Sequence, residues 1–248
     1  MESRCCLCLK RCVIGERFII RKITARWCRI IQIQIQIQKI KKRNVLFTNR
    51  IPAGWDLNVQ LIMGDRNNYI IDTGLGSLNI EPVKEYIKHD YKPIIVINTH
   101  HHWDHIWGNG SFRDCTIISH TLCREMMESE WEVMIQKNKR FIEGETELVL
   151  PNLTFDNELY FPEDNIRLIY TPGHTLDSIS VLDELEQVIH LGDNVGDSMD
   201  EIVPSIYGDE ESYIRTLLKY KEMDFDTCIS GHNVALDKQI IEHILSKL

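Results

Sequence analysis

Four side chains that can ligate a metal stand within six residues of this 248-residue chain. They are His100, His102, Asp104 and His105, in the run Asn98-Thr-His-His-His-Trp-Asp-His-Ile-Trp-Gly-Asn109. On an extended backbone alternate side chains share a face, so His100 and His102 point one way and His101 the other. Asp104 and His105 follow at the turn into a helix. Neutral imidazoles and carboxylates together suit borderline cations such as zinc. Left unpaired, so many polar groups in one place would oppose folding. Three more candidates lie downstream: His174 in Thr-Pro-Gly-His-Thr, Asp193 in His-Leu-Gly-Asp-Asn and His232 in Ser-Gly-His-Asn. Singly, each has a plainer reading as a packing histidine or a turn aspartate. Together they repeat one placement, a ligand directly after an apolar strand, and loops at one end of a sheet share a rim where sites are built.

The elements that must position these residues are legible in outline. Leu57–Met63 and Tyr69–Ile71 read as a hairpin ending in the turn cluster Asp72-Thr-Gly-Leu-Gly. Ile80, Val83, Tyr86 and Ile87 have helical spacing within 79–89. Pro93–Asn98 and Cys115–Ser119 are continuous apolar runs, the mark of strands buried on both faces. The spacing predicts a helix from Thr121 to about Arg140, in which Met126, Met127, Trp131, Met134 and Ile135 are read as packing residues. Strands are expected at 158–161, 166–170, 178–182, 187–191 and 227–229, with helices over 209–223 and 237–248. Strands with interposed helices indicate a layered α/β body.

The overall charge of −9 averages two unlike stretches. Residues 1–43 carry twelve Lys/Arg against Glu2 and Glu16, a balance of +10, whereas residues 44–248 stand at −19. This predicts a basic N-terminal appendage, 1–43, before an acidic body, 44–248. Within the appendage, Ile30–Ile40 alternates apolar and polar residues with the period of a strand, and is also a short repeat. Arg17, Arg21, Lys22, Arg26 and Arg29 interrupt every apolar stretch that could serve as a secretory signal. The Arg-rich start also fits a mitochondrial transit peptide, but it is poor in Ser and not clearly amphipathic. The run Cys5–Cys12 has thiolate spacing suited to zinc but no partner pair at a finger-like distance, so incidental cysteines are the expectation. Cys115, Cys123 and Cys228 form no disulfide framework and suit a cytoplasmic protein. No run of 18 apolar residues exists, so no membrane span is expected.

The ordered pattern HxHxDH, TPGHT, LGD and SGH resembles the ligand pattern of the metallo-β-lactamase-fold hydrolases, and covers about residues 45–240. Asp72-Thr-Gly is similar to that family's early motif. Asp193 stands where the antibiotic-degrading lactamases carry a cysteine, which places the likeness in the glyoxalase-type and lactonase branches. The resemblance implies a four-layer αββα sandwich with two metals at the edge between the sheets, zinc first, with iron or manganese as alternatives. By position, His100, His102 and His174 would hold the first metal, Asp104, His105 and His232 the second, and Asp193 would bridge them. It further implies hydrolysis of an ester, thioester, lactone or related bond of a small molecule by a metal-bridging hydroxide, with Asp104 as ligand and catalytic orienter.

Asp72 is read either as acceptor for a ligand imidazole or as a turn residue, and His89, His101, His120, His190 and His243 as structural or surface residues. Trp103 and Trp107 line the mouth of the site or pack at a helix start. Thr121–Pro151 is the natural pocket wall, with Lys137, Lys139 and Arg140 on it. Two competing readings share the scaffold. A di-iron redox protein reducing oxygen or nitric oxide usually has glutamate where His102 stands. A nuclease should carry a basic surface, and the body has the wrong sign.

Overall fold

A computed structural model describes residues 9–14, 17–24 and 29–248, with side chains from Ile33 onward. The side chains of the Cys5–Cys12 run and of Cys28 lie outside the described residues. Among the described residues the chain forms two mixed sheets with helices on their outer faces. This is the four-layer αββα sandwich expected from the ligand pattern.

The first sheet runs in chain order through β1 (Leu9–Ile14), β2 (Arg17–Thr24), β3 (Arg29–Lys39), β4 (Asn44–Arg50), β5 (Asp56–Met63), β6 (Asn68–Ile71), β7 (Ile94–Ile97), β8 (Thr116–His120) and β9 (Leu153–Phe155). Neighbours are antiparallel up to β6, and β6 to β9 are parallel. The second sheet contains β10 (Glu158–Phe161), β11 (Ile166–Tyr170), β12 (Ile179–Asp183), β13 (Val188–His190), β14 (Thr227–Ile229) and β15 (Leu236–Asp237). The helices are α1 (Ser77–Tyr86), α2 (Trp103–Ile106), α3 (Thr121–Asn138), α4 (Glu210–Glu222) and α5 (Gln239–Leu245).

Three apolar layers hold this together. Ile62, Tyr69, Ile71, Ile97 and Ile118 from the first sheet meet Ile166, Leu168, Ile179 and Val181 from the second. Leu78, Ile80 and Val83 of α1 cover the outer face of the first sheet. Tyr213, Leu217 and Tyr220 of α4, with Ile240, Ile241 and Ile244 of α5, cover the outer face of the second. Burying such aliphatic side chains is the main favourable term, roughly 1.5–3 kcal/mol each.

The core continues across the charge boundary at residue 43. Strand β3 pairs with β4, and its alternation is the expected one: Ile33 and Ile35 are buried while Gln34, Gln36 and Gln38 are exposed. Arg43 donates from Nε to Asp183 (2.9 Å) and from Nη2 to the Asp164 carbonyl (2.8 Å), and is itself buried. Strand β4 carries no clean alternation because Val45, Leu46 and Phe47 are buried on both faces. Strands β9 and β15 are three and two residues long and leave too short a pattern to read.

Candidate metal centre

The ligand-type residues sit on loops that leave strands at one edge of the sandwich. His100 and His102 follow β7, and Asp104 and His105 lie on the single turn α2. His174 is in the β11–β12 loop, Asp193 follows β13 and His232 follows β14. The loops are tied by backbone bonds: Ile179 N–H donates to the Thr99 carbonyl (2.9 Å), and Gly231 N–H to the Gly192 carbonyl (3.0 Å). All seven residues predicted from the sequence converge there.

They fall into two groups whose donor atoms lie within 4.8 Å of one another: His100, His102, His174 and Asp193, and Asp104, His105 and His232. The Asp193 Oδ2 atom is central. It stands 3.7 Å from both His100 Nε2 and His174 Nε2, 3.3 Å from His105 Nε2 and 3.2 Å from His232 Nε2. Asp104 Oδ2 is 3.4 Å from His232 Nε2 and 3.8 Å from His105 Nε2. His174 Nε2 lies 3.1 Å from His102 Nδ1, so His102 faces the centre through Nδ1 rather than Nε2.

The outer nitrogens of His100, His105, His174 and His232 are occupied, which aims the inner ones at the centre. His105 Nδ1 donates to Asp72 (2.8 Å), His174 Nδ1 to the Ser205 carbonyl (2.7 Å) and His232 Nδ1 to the Asp56 carbonyl (2.8 Å). Thr99 Oγ1 donates to Asp72 (2.8 Å) and faces His100 Nδ1 at 3.0 Å. Such outer partners fix the tautomer and orientation of ligand imidazoles. Asp72 is therefore the imidazole acceptor, and a turn residue as well: its φ of 60° is in the left-handed region, held by its N–H on the Ile97 carbonyl (2.9 Å).

The donor set fits a metal pair. His100 Nε2, His105 Nε2 and Asp193 Oδ1 are buried and lack a hydrogen-bond partner among the described residues, a costly state for a protein interior. Charges are crowded accordingly. Burial, then His105, holds His100 well below the ordinary imidazole value. Burial, then His174, pushes His102 down to about 3. For His105 and His232 burial acts in the same sense, but Asp193 and Asp104 outweigh it, leaving His105 well above its usual value and His232 raised to about 9. Burial would raise the Asp193 carboxyl, yet His105 and His232 hold it well below the carboxylate range.

A cavity of about 800 Å³ opens over the centre. One wall is α3, with Glu130, Val133, Met134 and Lys137, as the pocket-wall reading of 121–151 expects; Lys139 and Arg140 do not line it. The other wall is the loop from Gly196 to Tyr207, which sequence reasoning missed because an irregular segment has no periodicity to read. The Tyr207 ring lies edge-on to His102 and His174, with centroids 5.4 and 5.3 Å away. Trp103 lines the mouth, Trp107 is fully buried, and Trp55 packs against His232 at 5.4 Å. Of the remaining histidines, His89 and His243 are exposed, His120 stacks on Tyr170, and His190 and His101 are buried.

The sequence profile of the metallo-beta-lactamase superfamily matches residues 55–232, most of the chain. The chain belongs to the metallo-beta-lactamase superfamily. An N-acyl homoserine lactonase of Bacillus cereus is 32% identical over 102 residues, 39% of this chain and 36% of that protein. The chain thus spans about a third of the length of the lactonase it matches. A Methanocaldococcus jannaschii protein named "Probable metallo-hydrolase" is 28% identical over 178 residues, 71% of this chain and 70% of that one. The crystal structure of the DIM-1 metallo-beta-lactamase superposes with a TM-score of 0.67 at 19% identity, covering 86% of this chain and 95% of that one, a likeness of fold. The superfamily profile spans every ligand-type residue described above, from His100 to His232.

Proposed function

We propose that this chain is a metal-dependent hydrolase that holds two zinc ions and cleaves an ester, thioester, lactone or related bond of a small molecule. The observation that carries the reading is the pair of donor groups meeting at Asp193 Oδ2. His100, His102 and His174 would hold one ion, Asp104, His105 and His232 the other, and Asp193 both. Bound there, two cations supply Lewis acidity and a nucleophilic water at neutral pH. Asp104 would serve both as ligand and as the group that orients the nucleophile. The aromatic side chains of Trp103 and Tyr207 flank the centre and orient the substrate, and the buried floor keeps bulk water from it. Among charged wall residues Glu130, Asp197, Asp200 and Glu201 outnumber Lys137 and Lys247, which suits a small molecule better than a nucleic-acid backbone. Ester-type cleavage matches the lactonase and metallo-hydrolase names of the relatives. The described cysteines, Cys115, Cys123 and Cys228, are unpaired, and a cytoplasmic location goes with them.

The test is metal content of the purified protein, then a screen of thioesters, lactones, β-lactams and phosphodiesters with the native chain and Asp104→Asn. The expected result is two zinc per chain and a hydrolytic activity reduced about 100-fold or more by the substitution. No metal uptake after zinc reconstitution would sink the reading. Bound iron with oxygen consumption would replace it with redox chemistry.

A further inference from the structure

Asp177 and His101 belong to neither donor group, and nothing in the proposed chemistry uses them. Both are buried, Asp177 completely. The His101 N–H donates to Asp177 Oδ2 (2.8 Å) and His101 Nδ1 donates to Asp177 Oδ1 (2.9 Å). His101 stands between His100 and His102, its ring centroid 6.4 Å from that of His100 and 4.8 Å from that of His102, and Asp177 stands three residues after His174. The pair therefore spans the two loops that supply all three imidazoles of one donor group. Its far side reaches the cavity wall, where His101 Nε2 is 3.8 Å from Glu130 on α3.

The other group has a brace of the same chemical kind. Asp72 accepts from His105 Nδ1 and from Thr99, but makes no bond to His174 or its loop in the described hydrogen bonds. Asp72 thus bonds an imidazole of the other group directly and reaches His100 only through Thr99, whereas Asp177 is the carboxylate that joins the loop of His100 and His102 to the loop of His174. We propose that Asp177 and His101 form a positioning pair that keeps His174 in register with His100 and His102 and so sets the affinity of that donor group alone. This rests on the metal-site reading above. Removing one partner of a buried, doubly bonded pair leaves the other uncompensated, and the loop carrying it shifts to find water or a new partner.

The test titrates zinc into the apo form of the full chain against a chromophoric chelator, for the native protein, Asp177→Ala, Asp177→Asn and Asp72→Ala, with circular dichroism melts to establish folding. Two affinity steps are expected in the native chain. Asp177→Ala should weaken one step by roughly 10- to 100-fold, Asp177→Asn by less because its amide oxygen still accepts, and Asp72→Ala should fall most heavily on the other step. A folded Asp177→Ala chain with both steps unchanged, or both weakened equally, overturns the proposal. If Asp177→Ala does not fold, Asp177→Asn decides by the same criterion. A native chain that takes up no zinc defeats the metal-site reading itself, and this inference with it.

Discussion

At the scale of single residues, the site is built by fastening an imidazole through one nitrogen and leaving the other for the centre. His105 shows this most clearly, with Nδ1 on Asp72 and Nε2 buried without a partner among the described residues. Replacing Asp72 by alanine should therefore cost metal chiefly at the Asp104, His105 and His232 group, by about 10- to 100-fold in affinity, and should also lower the melting temperature because three buried donors lose their acceptor. Equal losses at both groups would show that Asp72 merely supports the turn. Gly231 makes a different point. A Cβ there would stand 2.6 Å from His105 Cε1 and closer still to Asp193 Oδ1. Gly231→Ala should displace two ligand-type side chains at once and lower metal content relative to the native chain, measured by elemental analysis. Metal content equal to that of the native chain would mean that the His232 loop can move aside. The Ser-Gly-His triplet was legible in the sequence, whereas the reason for its glycine is a contact with residues 38 and 126 positions away.

At the scale of elements, the strands deliver ligands to one edge while a polar cluster fastens residues elsewhere on them. Asp164 accepts the N–H groups of Arg66 (2.8 Å) and Asn67 (3.1 Å) and the Tyr69 hydroxyl (2.8 Å). Burial would raise its carboxyl, but these donors outweigh burial and hold it below the usual range. A depressed folded-state value stabilises the fold above the unfolded value and is lost as pH falls through the folded one. Asp164→Asn should thus cost about 1–3 kcal/mol in denaturant unfolding at pH 7. The difference should narrow below about pH 4, the ordinary aspartate value. A cost that stays constant between pH 7 and pH 3 would rule the carboxylate's charge out as its source. The elements that carry ligands were largely readable: the hairpin of β5 and β6, the buried runs β7 and β8, and helix α3. Short β9 and β15 were not, because two or three residues have no measurable period.

At the scale of the whole molecule, charge and packing divide the chain differently. The balance changes sign near residue 43, yet Ile33 and Ile35 lie in the core and Arg43 is buried against Asp183. A chain cut after residue 43 should lose the burial of those two isoleucines, roughly 3–6 kcal/mol, and leave Asp183 without its cation. The expected readout is a large fall in melting temperature or insoluble protein, with metal binding lost in proportion to folding. Unchanged stability would support the reading of residues 1–43 as an appendage that the charge pattern suggests.

The sequence by itself determined the ligand-type residues, their order and the family they indicate, because metal-ligand chemistry restricts residue types and the strand-to-loop placement is a local pattern. It also determined the period of β3 and the layered α/β class, since both follow from spacing along the chain. Only the tertiary structure decided that Asp193 Oδ2 lies between the two donor groups, that Asp72 serves His105, and that Asp177 is bonded to His101. Those contacts join residues 19 to 93 positions apart, and such pairings depend on how two sheets stack rather than on any periodicity within one segment. The second wall of the cavity belongs to the same class: the segment from Gly196 to Tyr207 has no regular element, and its place over the centre is fixed by bonds such as the Tyr207 N–H on the His174 carbonyl.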